Sequence, residues 1–280
     1  MSNINEYITE AEYAALSEEE RMRLASIIFE ANTEKMHCQE VCLSSHKIYR
    51  KYVKRILDIV ISLLALIVSI PFNVFVLIGT MINIGFPLFF SQERVGCDGK
   101  VFKMVKFRNM TNDVDENGNL LLPELRLKKW GKFVRKTSLD ELLNFWSILK
   151  GDMSIIGPRP LPVKYSMRYS ERHMQRSLVR PGLECPAFNA ENANGGWNAR
   201  FENDIWYVEN VSFKTDIKMV CLLVKKVFSF KSREQSAGGK DGEFMGYENE
   251  VAIDCYHVPR KYYDELLSSR CIDEQEIMAG

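Results

Sequence analysis

A chain of 280 residues with 37 basic and 37 acidic side chains has zero formal net charge, so no global basic field recruits nucleic acid, and no basic repeat or zinc-finger spacing points to it. That length suffices for one large core or two modest ones. The seven cysteines are odd in number and irregularly spaced, which argues against a disulfide framework and for free thiols in a reducing compartment.

Residues 1–47 are polar, rich in glutamate and read as short helices; no cleavable signal peptide is evident, which places the chain on the cytoplasmic side. Ser17 with Glu20 is a capping-box pattern ahead of Leu24, Ile27 and Ile28 at helical spacing. His37, Cys38, Cys42 and His46 fall on one face of a helix in this reading. Imidazole and thiolate are zinc ligands, but no second cluster completes a recognised spacing, and an amphipathic packing face is favoured over a metal site.

From Ile59 to Gln92 the sequence contains no charged residue. A straight helix of that length would reach ~50 Å, well beyond the ~30 Å hydrocarbon core of a bilayer. Pro71 lies near the middle, removes a backbone donor and predicts a bend or break. Lys47, Arg50, Lys51, Lys54 and Arg55 precede the segment; Arg94, Lys100, Lys103, Lys106 and Arg108 follow it. Positive charge marks the cytoplasmic side, so both flanks belong there, and a re-entrant helix satisfies both where a single crossing would not.

Beyond the anchor the composition is that of an α/β, predominantly helical domain. Val101 to Phe107 alternates loosely and suits a strand, and Asn117-Gly118 is a turn signal. Leu125 to Val134 is basic and amphipathic, suited either to anionic headgroups or to a solvated helix face. Ser138 is placed to cap a helix, with Glu141 in the capping-box position, an apolar stripe of Leu139, Leu142, Leu143, Trp146 and Leu149, and Gly151 to end it. Asp140 and Glu141 there could simply complement the helix dipole. Their neighbours suggest more. Arg135 precedes them and Gly157-Pro158-Arg159-Pro160 follows, and helix N-termini and arginines both bind phosphate. An anionic carboxylate in that setting could attack phosphorus or hold Mg²⁺ against a diphosphate. The alternative for Arg159 is a rigid turn whose arginine caps carbonyls.

At this point a family pattern is legible. Its markers are Lys54-Arg55 with Asp58, then Gln92, Arg94 and Gly96 with Gly99 and Phe102, and Lys106-Phe107-Arg108 with Met110. Ser138-Leu139-Asp140-Glu141-Leu142, Lys150-Gly151-Asp152-Met153-Ser154, Gly157-Pro158-Arg159-Pro160 and Arg180-Pro181-Gly182 follow in order. Over about residues 50–228 the chain resembles the bacterial sugar transferases, monotopic polyprenol-phosphate phosphoglycosyl transferases that begin capsule, exopolysaccharide, O-antigen or glycoprotein glycan assembly. The resemblance implies a small membrane-associated catalytic domain with a Pro-broken re-entrant helix at the bacterial inner membrane, facing the cytoplasm. It implies Asp140 as nucleophile toward a UDP-sugar, release of UMP, a phosphosugar-aspartyl intermediate, and polyprenol phosphate, undecaprenyl phosphate above all, as acceptor. Glu141 is the partner carboxylate for metal or proton handling, and Mg²⁺ at Asp140 and Glu141 is the expected cofactor. Arg135, Arg159, Lys106 and Arg108 are the implied phosphate-binding residues, and Arg180, Arg200 and Asp204 are assigned to the nucleotide-sugar pocket. Expected partners are the two substrates, the bilayer, and a second copy or downstream glycosyltransferases.

Two departures stand out. Ser69-Ile70-Pro71 replaces the family's Ser-Pro break, with Ser69 or Asn73 left to satisfy freed carbonyls. After Gly182 the chain reads Leu183-Glu184-Cys185-Pro186-Ala187-Phe188-Asn189 where the family carries a different run ending in Arg. Cys185 reads as a packing cysteine rather than a reactive thiol. Trp197, Trp206 and Tyr207 are either core aromatics or a stacking platform. Expected boundaries are an acidic helical extension over 1–47, a basic flank and membrane helix over 48–92, a catalytic domain over 93–228 and a charged extension over 229–280, with one short helix near Pro259 to Leu267. A catalytically silent anchored scaffold and a lipid-phosphate hydrolase are the rival readings.

Overall fold

The computed structural model describes residues 6–33, 40–116, 121, 123–188, 195–228 and 242–279. The described residues are mostly helical, with three two-stranded sheets among them. Helices α1 (Glu10–Ala15) and α2 (Glu18–Thr33) each begin with a capping box. At α2 the Glu20 amide donates to Ser17 Oγ at 3.2 Å, and Glu20 Oε2 accepts from the Ser17 amide at 2.8 Å. Leu24 and Ile28 are fully buried and Ile27 packs beside them, as the spacing predicted. The helical face through Cys42 and His46 does not form. Glu40 to His46 is an irregular segment, with Ser44 Oγ donating to the Val211 carbonyl at 2.6 Å. His37 and Cys38 lie outside the described residues, as does the Asn117-Gly118 turn.

A π-helical turn, Tyr49–Val53, runs into α3 (Lys54–Asn83), the chain's long apolar helix. Only 17 % of its most apolar window is buried. Of the bend or break expected at Pro71, an interruption is not seen: helix α3 continues through the proline as one element. The missing N–H removes one hydrogen bond from the helical ladder, and two polar side chains bond within the same turn. Ser69 Oγ donates to the Leu66 carbonyl at 3.0 Å and accepts from Asn73 Nδ2 at 3.0 Å. Both ends of α3 are fastened to the same body. At its start Arg55 donates to the carbonyls of Ile148 (2.6 Å) and Leu149 (2.8 Å). One turn later Asp58 Oδ1 accepts from Ser154 Oγ (3.0 Å) and the Ile155 amide (3.1 Å). At its end Thr80 Oγ1 accepts from Trp130 Nε1 at 3.2 Å. Gly79 is needed there, because a Cβ would meet the Trp130 ring at 2.0 Å.

Strands β1 (Phe89–Val95) and β2 (Val101–Phe107) form an antiparallel hairpin in which Phe89 faces Phe107. The basic stretch that follows divides into α4 (Pro123–Arg126) and α5 (Lys129–Thr137). A 3-10 turn (Leu139–Glu141) leads to α6 (Asn144–Lys150), and Gly151 at φ 104° closes that helix as expected. Strands β3 (Ser154–Ile156) and β4 (Gly182–Glu184) pair in parallel. Between them lie the short helices α7 (Val163–Ser166) and α8 (Glu171–Met174). Helices α9 (Gly196–Asn210) and α10 (Phe213–Phe228) complete the body. Their inner faces bury Ile205, Tyr207, Val208 and Met219 against Ile156 and Val179.

The C-terminal segment is not the charged tail with one short helix that its composition suggested. Strands β5 (Phe244–Glu248) and β6 (Val251–Asp254) form a hairpin, followed by α11 (Arg260–Ala279). They share one core with the N-terminal extension: Leu24, Ala25 and Ile28 pack with Met245, Val258, Tyr262 and Leu266. Each extension is too short to bury a core of its own, and together they do. This terminal unit docks on the rest of the body through Phe244 and Tyr247, which join Tyr165, Tyr169, Trp197 and Phe201 in a third core.

Candidate active site

The site begins with a backbone irregularity. Helix α5 ends at Ser138, whose φ of 56° is left-handed, a conformation costing a non-glycine residue on the order of 1 kcal/mol. Ser138 therefore closes one helix instead of capping the next, and its side chain makes no cap hydrogen bond. The predicted continuous helix from Ser138 to Gly151 is replaced by the 3-10 turn and the shorter α6. The sequence pattern S-x-x-E was satisfied, but tertiary packing decided the dihedrals. Leu139 and Leu143 pack against Val76, Phe107 and Val134, which turns Asp140 and Glu141 away from that core toward β2 and the β3–α7 loop.

Two cations converge on one oxygen of Glu141. Lys106 Nζ from the end of β2 and Arg159 Nη2 from the Pro-Arg-Pro loop each donate to Oε1 at 2.6 Å. Burial pushes the Glu141 carboxyl up, but Arg159 and Lys106 outweigh it and hold the group down at about 2. Asp140 is 6 % exposed, and Asn109 Nδ2 donates to its Oδ2 at 2.8 Å. Burial raises the Asp140 carboxyl above the ordinary carboxylate value, with Glu141 adding to the rise and Lys106 and Arg135 opposing it. The two neighbouring acids are thus driven apart: one firmly anionic, the other a carboxylate of raised basicity. Such divergence is what distinct chemical roles require.

Supporting elements place the cations. Gly157 and Gly182 let β3 and β4 touch, since a Cβ on Gly182 would lie 2.1 Å from the Gly157 nitrogen. That contact aims the loop Pro158-Arg159-Pro160. Arg159 Nη1 also reaches Glu184 Oε2 at 3.3 Å and the Leu183 carbonyl at 3.4 Å. Arg94 donates to the Pro160 carbonyl at 3.2 Å, and Arg176 to the Arg159 carbonyl at 2.8 Å. Arg176 is itself buried, paired with Asp204 and stacked near Tyr169 and Phe201.

Of the residues expected at the site, Asp140, Glu141, Lys106 and Arg159 meet, and Arg135 is near enough to act on Asp140 through its charge. Arg108 does not join them; it donates to the carbonyls of Ile84 (2.8 Å) and Gly85 (3.2 Å) and closes the end of α3. Asp204 is buried in its ion pair with Arg176, a supporting place rather than a lining one. Arg180 Nε donates to the Gly151 carbonyl at 3.1 Å, and Arg200 lies over the Trp197 ring at 4.8 Å. Trp197 and Tyr207 are core aromatics, whereas Trp206 stacks on Phe188 at 3.9 Å. Cys185 packs beside the α9 core, where burial pushes its thiol well above the ordinary value. Residues 189–194 of the atypical stretch lie outside the described residues. Sequence reasoning missed Asn109, Arg94 and Arg176 as site residues. Asn109 was recoverable, since it stands three residues past Lys106 where the strand ends.

A magnesium ion fits this donor set only in part. Among the described residues no three His, Cys, Asp or Glu side chains cluster as metal ligands. Magnesium commonly needs only one or two carboxylates, with substrate phosphates and water completing its shell. Asp140 Oδ1 and Glu141 Oε2 are the oxygens available to it, because Oδ2 and Oε1 are engaged.

The family model for bacterial sugar transferases matches residues 49–230. An uncharacterized sugar transferase of Bacillus subtilis, EpsL, is 41% identical over 185 residues, covering 66% of this chain and 91% of that protein. The UDP-glucose:undecaprenyl-phosphate glucose-1-phosphate transferase of Klebsiella pneumoniae is 36% identical over 196 residues, 64% of this chain and 41% of its own length. The Escherichia coli protein of the same name is 35% identical over 199 residues, 65% of this chain and 41% of its own. The chain thus spans less than half of these last two proteins. The terminal unit lies largely outside the matched region. With the matched segment carrying the Asp140–Glu141 pair, its two cations and the long apolar helix, this chain belongs to the bacterial sugar transferase family, as a phosphoglycosyl transferase.

Proposed function

We propose that this chain moves a sugar-1-phosphate from a UDP-sugar onto a polyprenol phosphate, undecaprenyl phosphate by analogy with its relatives, and so begins a surface glycan. The observation that carries the reading is the Asp140–Glu141 pair, with Asp140 buried, oriented by Asn109 and of raised basicity beside two cations. Asp140 Oδ1 attacks the sugar-bearing phosphorus, the bond to the UMP oxygen breaks, and UMP leaves with the electron pair. An oxygen of the lipid phosphate then attacks the same phosphorus and returns the Asp140 carboxylate. Lys106, Arg159 and Arg135 offset the charge of the transferring group, the main demand of phosphoryl transfer. Glu141 holds both cations in register. Asp140 and Glu141 are the residues that would hold a magnesium ion, which would supply further charge neutralisation.

The anchor reading rests on α3. About 45 Å of helix is too long for a ~30 Å hydrocarbon core, and both its ends are bonded to one catalytic body. A re-entrant helix at the inner membrane, with the body in the cytoplasm, accommodates both facts. Cysteines placed at Lys51 and Glu93 are expected to label from the same face of sealed vesicles; labelling from opposite faces defeats this anchor.

The deciding assay is UMP release by detergent-purified protein with Mg²⁺, undecaprenyl phosphate and a panel of UDP-sugars, beside Asp140→Asn. Acceptor-dependent release from one donor, lost in the variant, is the expected result. Release from no donor favours the silent scaffold, for which the altered run after Gly182 is the supporting observation.

A further inference from the structure

The crossover from β3 to β4 carries Arg159 near its start, and the terminal unit covers its middle. Phe244 packs on Tyr165 and Tyr169 with ring centroids 5.8 and 6.0 Å apart, and its carbonyl accepts from Arg168. One polar contact of the terminal unit reaches further. His173, buried in α8, lies with Nδ1 2.8 Å from the Tyr247 hydroxyl and with Nε2 2.8 Å from Glu202 Oε1. Bonds from His173 and Arg172 hold Glu202 down at about 2, so this carboxylate only accepts. Nε2 therefore carries the proton, and in the neutral ring Nδ1 accepts from Tyr247. Three residues on, Arg176 donates through Nε to Asp204 Oδ2 at 3.0 Å and through Nη2 to the Arg159 carbonyl at 2.8 Å. Glu202 and Asp204 both belong to α9, so His173 and Arg176 are registered on one helix.

We propose that Tyr247 and His173 are positioning residues for the transfer. The terminal unit fixes α8, α8 fixes Arg176, and Arg176 fixes the backbone of Arg159 and with it the guanidinium beside Glu141. The proposal rests on the transferase reading above. It gives a catalytic purpose to a unit whose Tyr247 lies beyond residue 230, where the family match ends. Arg159 sits on a loop, and a displacement of about 1 Å in a group that positions charge is enough to cost a large factor in rate. Tyr247 is 1% exposed and His173 3%, so removing the tyrosine hydroxyl leaves a buried imidazole nitrogen without that donor. The strain is relieved by movement of α8, and Arg176 and the Arg159 loop follow.

The test is a double-mutant cycle read by steady-state UMP release from the full chain in micelles. Tyr247→Phe keeps the ring in its core and removes only the hydroxyl. It is expected to lower kcat about fivefold, with the donor KM within about twofold of the unmodified value. Tyr262→Phe is the control. Its hydroxyl is also buried and accepts from Asn32 Nδ2 at 2.8 Å, but wholly inside the terminal unit, so kcat should hold. In an Arg159→Lys background, adding Tyr247→Phe should change kcat by less than about twofold, because the group it positions is already gone. Where Arg159→Lys releases no UMP, Arg176→Lys takes its place under the same criterion. An unchanged kcat in Tyr247→Phe overturns the proposal. So does an equal fall in Tyr262→Phe, which marks a loss of stability in the terminal unit alone, and so do losses that add in the cycle. Absence of UMP release from any donor by the unmodified protein refutes the transferase reading instead, and the positioning role falls with it.

Discussion

Replacing Glu141 with glutamine tests the electrostatics of the site directly. In the folded chain Lys106 and Arg159 hold the Glu141 carboxyl at about 2, against an ordinary value of 4.5. A lowered pKa means that the unfolded chain binds the proton more readily, so stability is present above the unfolded value and is lost as pH falls toward the folded one. At about 1.4 kcal/mol per unit, the depression corresponds to ~3 kcal/mol near neutral pH. The side chain is 24% exposed, so screening trims this figure modestly. The linkage removes ~2 kcal/mol of it by about pH 3. Glu141→Gln has no such titration and leaves two cations facing each other. The expected result is a variant less stable than the unmodified protein by ~3 kcal/mol at neutral pH, with the gap narrowing steadily below about pH 5. Denaturant unfolding in micelles, followed by tryptophan fluorescence across that pH range, measures it. A stability gap that stays constant with pH refutes the reasoning, because the loss would then stem from packing rather than charge.

Further outcomes follow from the same geometry. Asn109→Ala removes the amide that orients Asp140 and is expected to lower kcat about tenfold with the donor KM little changed, read by steady-state UMP release. Lys106→Met removes a charge that opposes the raised Asp140 pKa, so the acid limb of single-turnover UMP release should move to higher pH; a shift to lower pH contradicts the assignment. Phe244→Ala opens a cavity in the fully buried core that joins the terminal unit to the body, and should cost about 3–5 kcal/mol in that docking. Denaturant unfolding followed by tryptophan fluorescence, with Trp197 of that core as reporter, measures the loss.

What each level of structure decided can be traced residue by residue. The uncharged run from Ile59 to Gln92 announced a long apolar helix because charge cannot enter hydrocarbon cheaply, and the helix is there. Val101 to Phe107 forms its strand, Ser17 and Glu20 their capping box, and Gly151 its helix end, since each depends on local dihedral and hydrogen-bond preferences. The ordered motifs around Asp140, Glu141 and Arg159 also marked the family, and Arg159 and Glu141 meet in space. Pro71 does not interrupt the helix, which is held at both ends, and Ser69 and Asn73 bond beside it.

Other features were not legible in any window of sequence. Ser138 matches a capping pattern but adopts a left-handed turn, because Leu139 and Leu143 are drawn into the Val76–Phe107–Val134 core. Arg108, expected at the phosphates, bonds carbonyls at the end of α3, and Asp204, expected in the nucleotide-sugar pocket, pairs with Arg176. The two charged extensions, more than two hundred residues apart, looked like separate appendages and fold as one unit. Local sequence determined the long apolar helix, the strands and the neighbouring positions of Asp140 and Glu141, through short-range propensity and patterning. Only tertiary structure decided which cations reach Glu141 and that Asn109 orients Asp140, because those contacts join positions 18 to 35 residues apart, whose separation in space is set by packing.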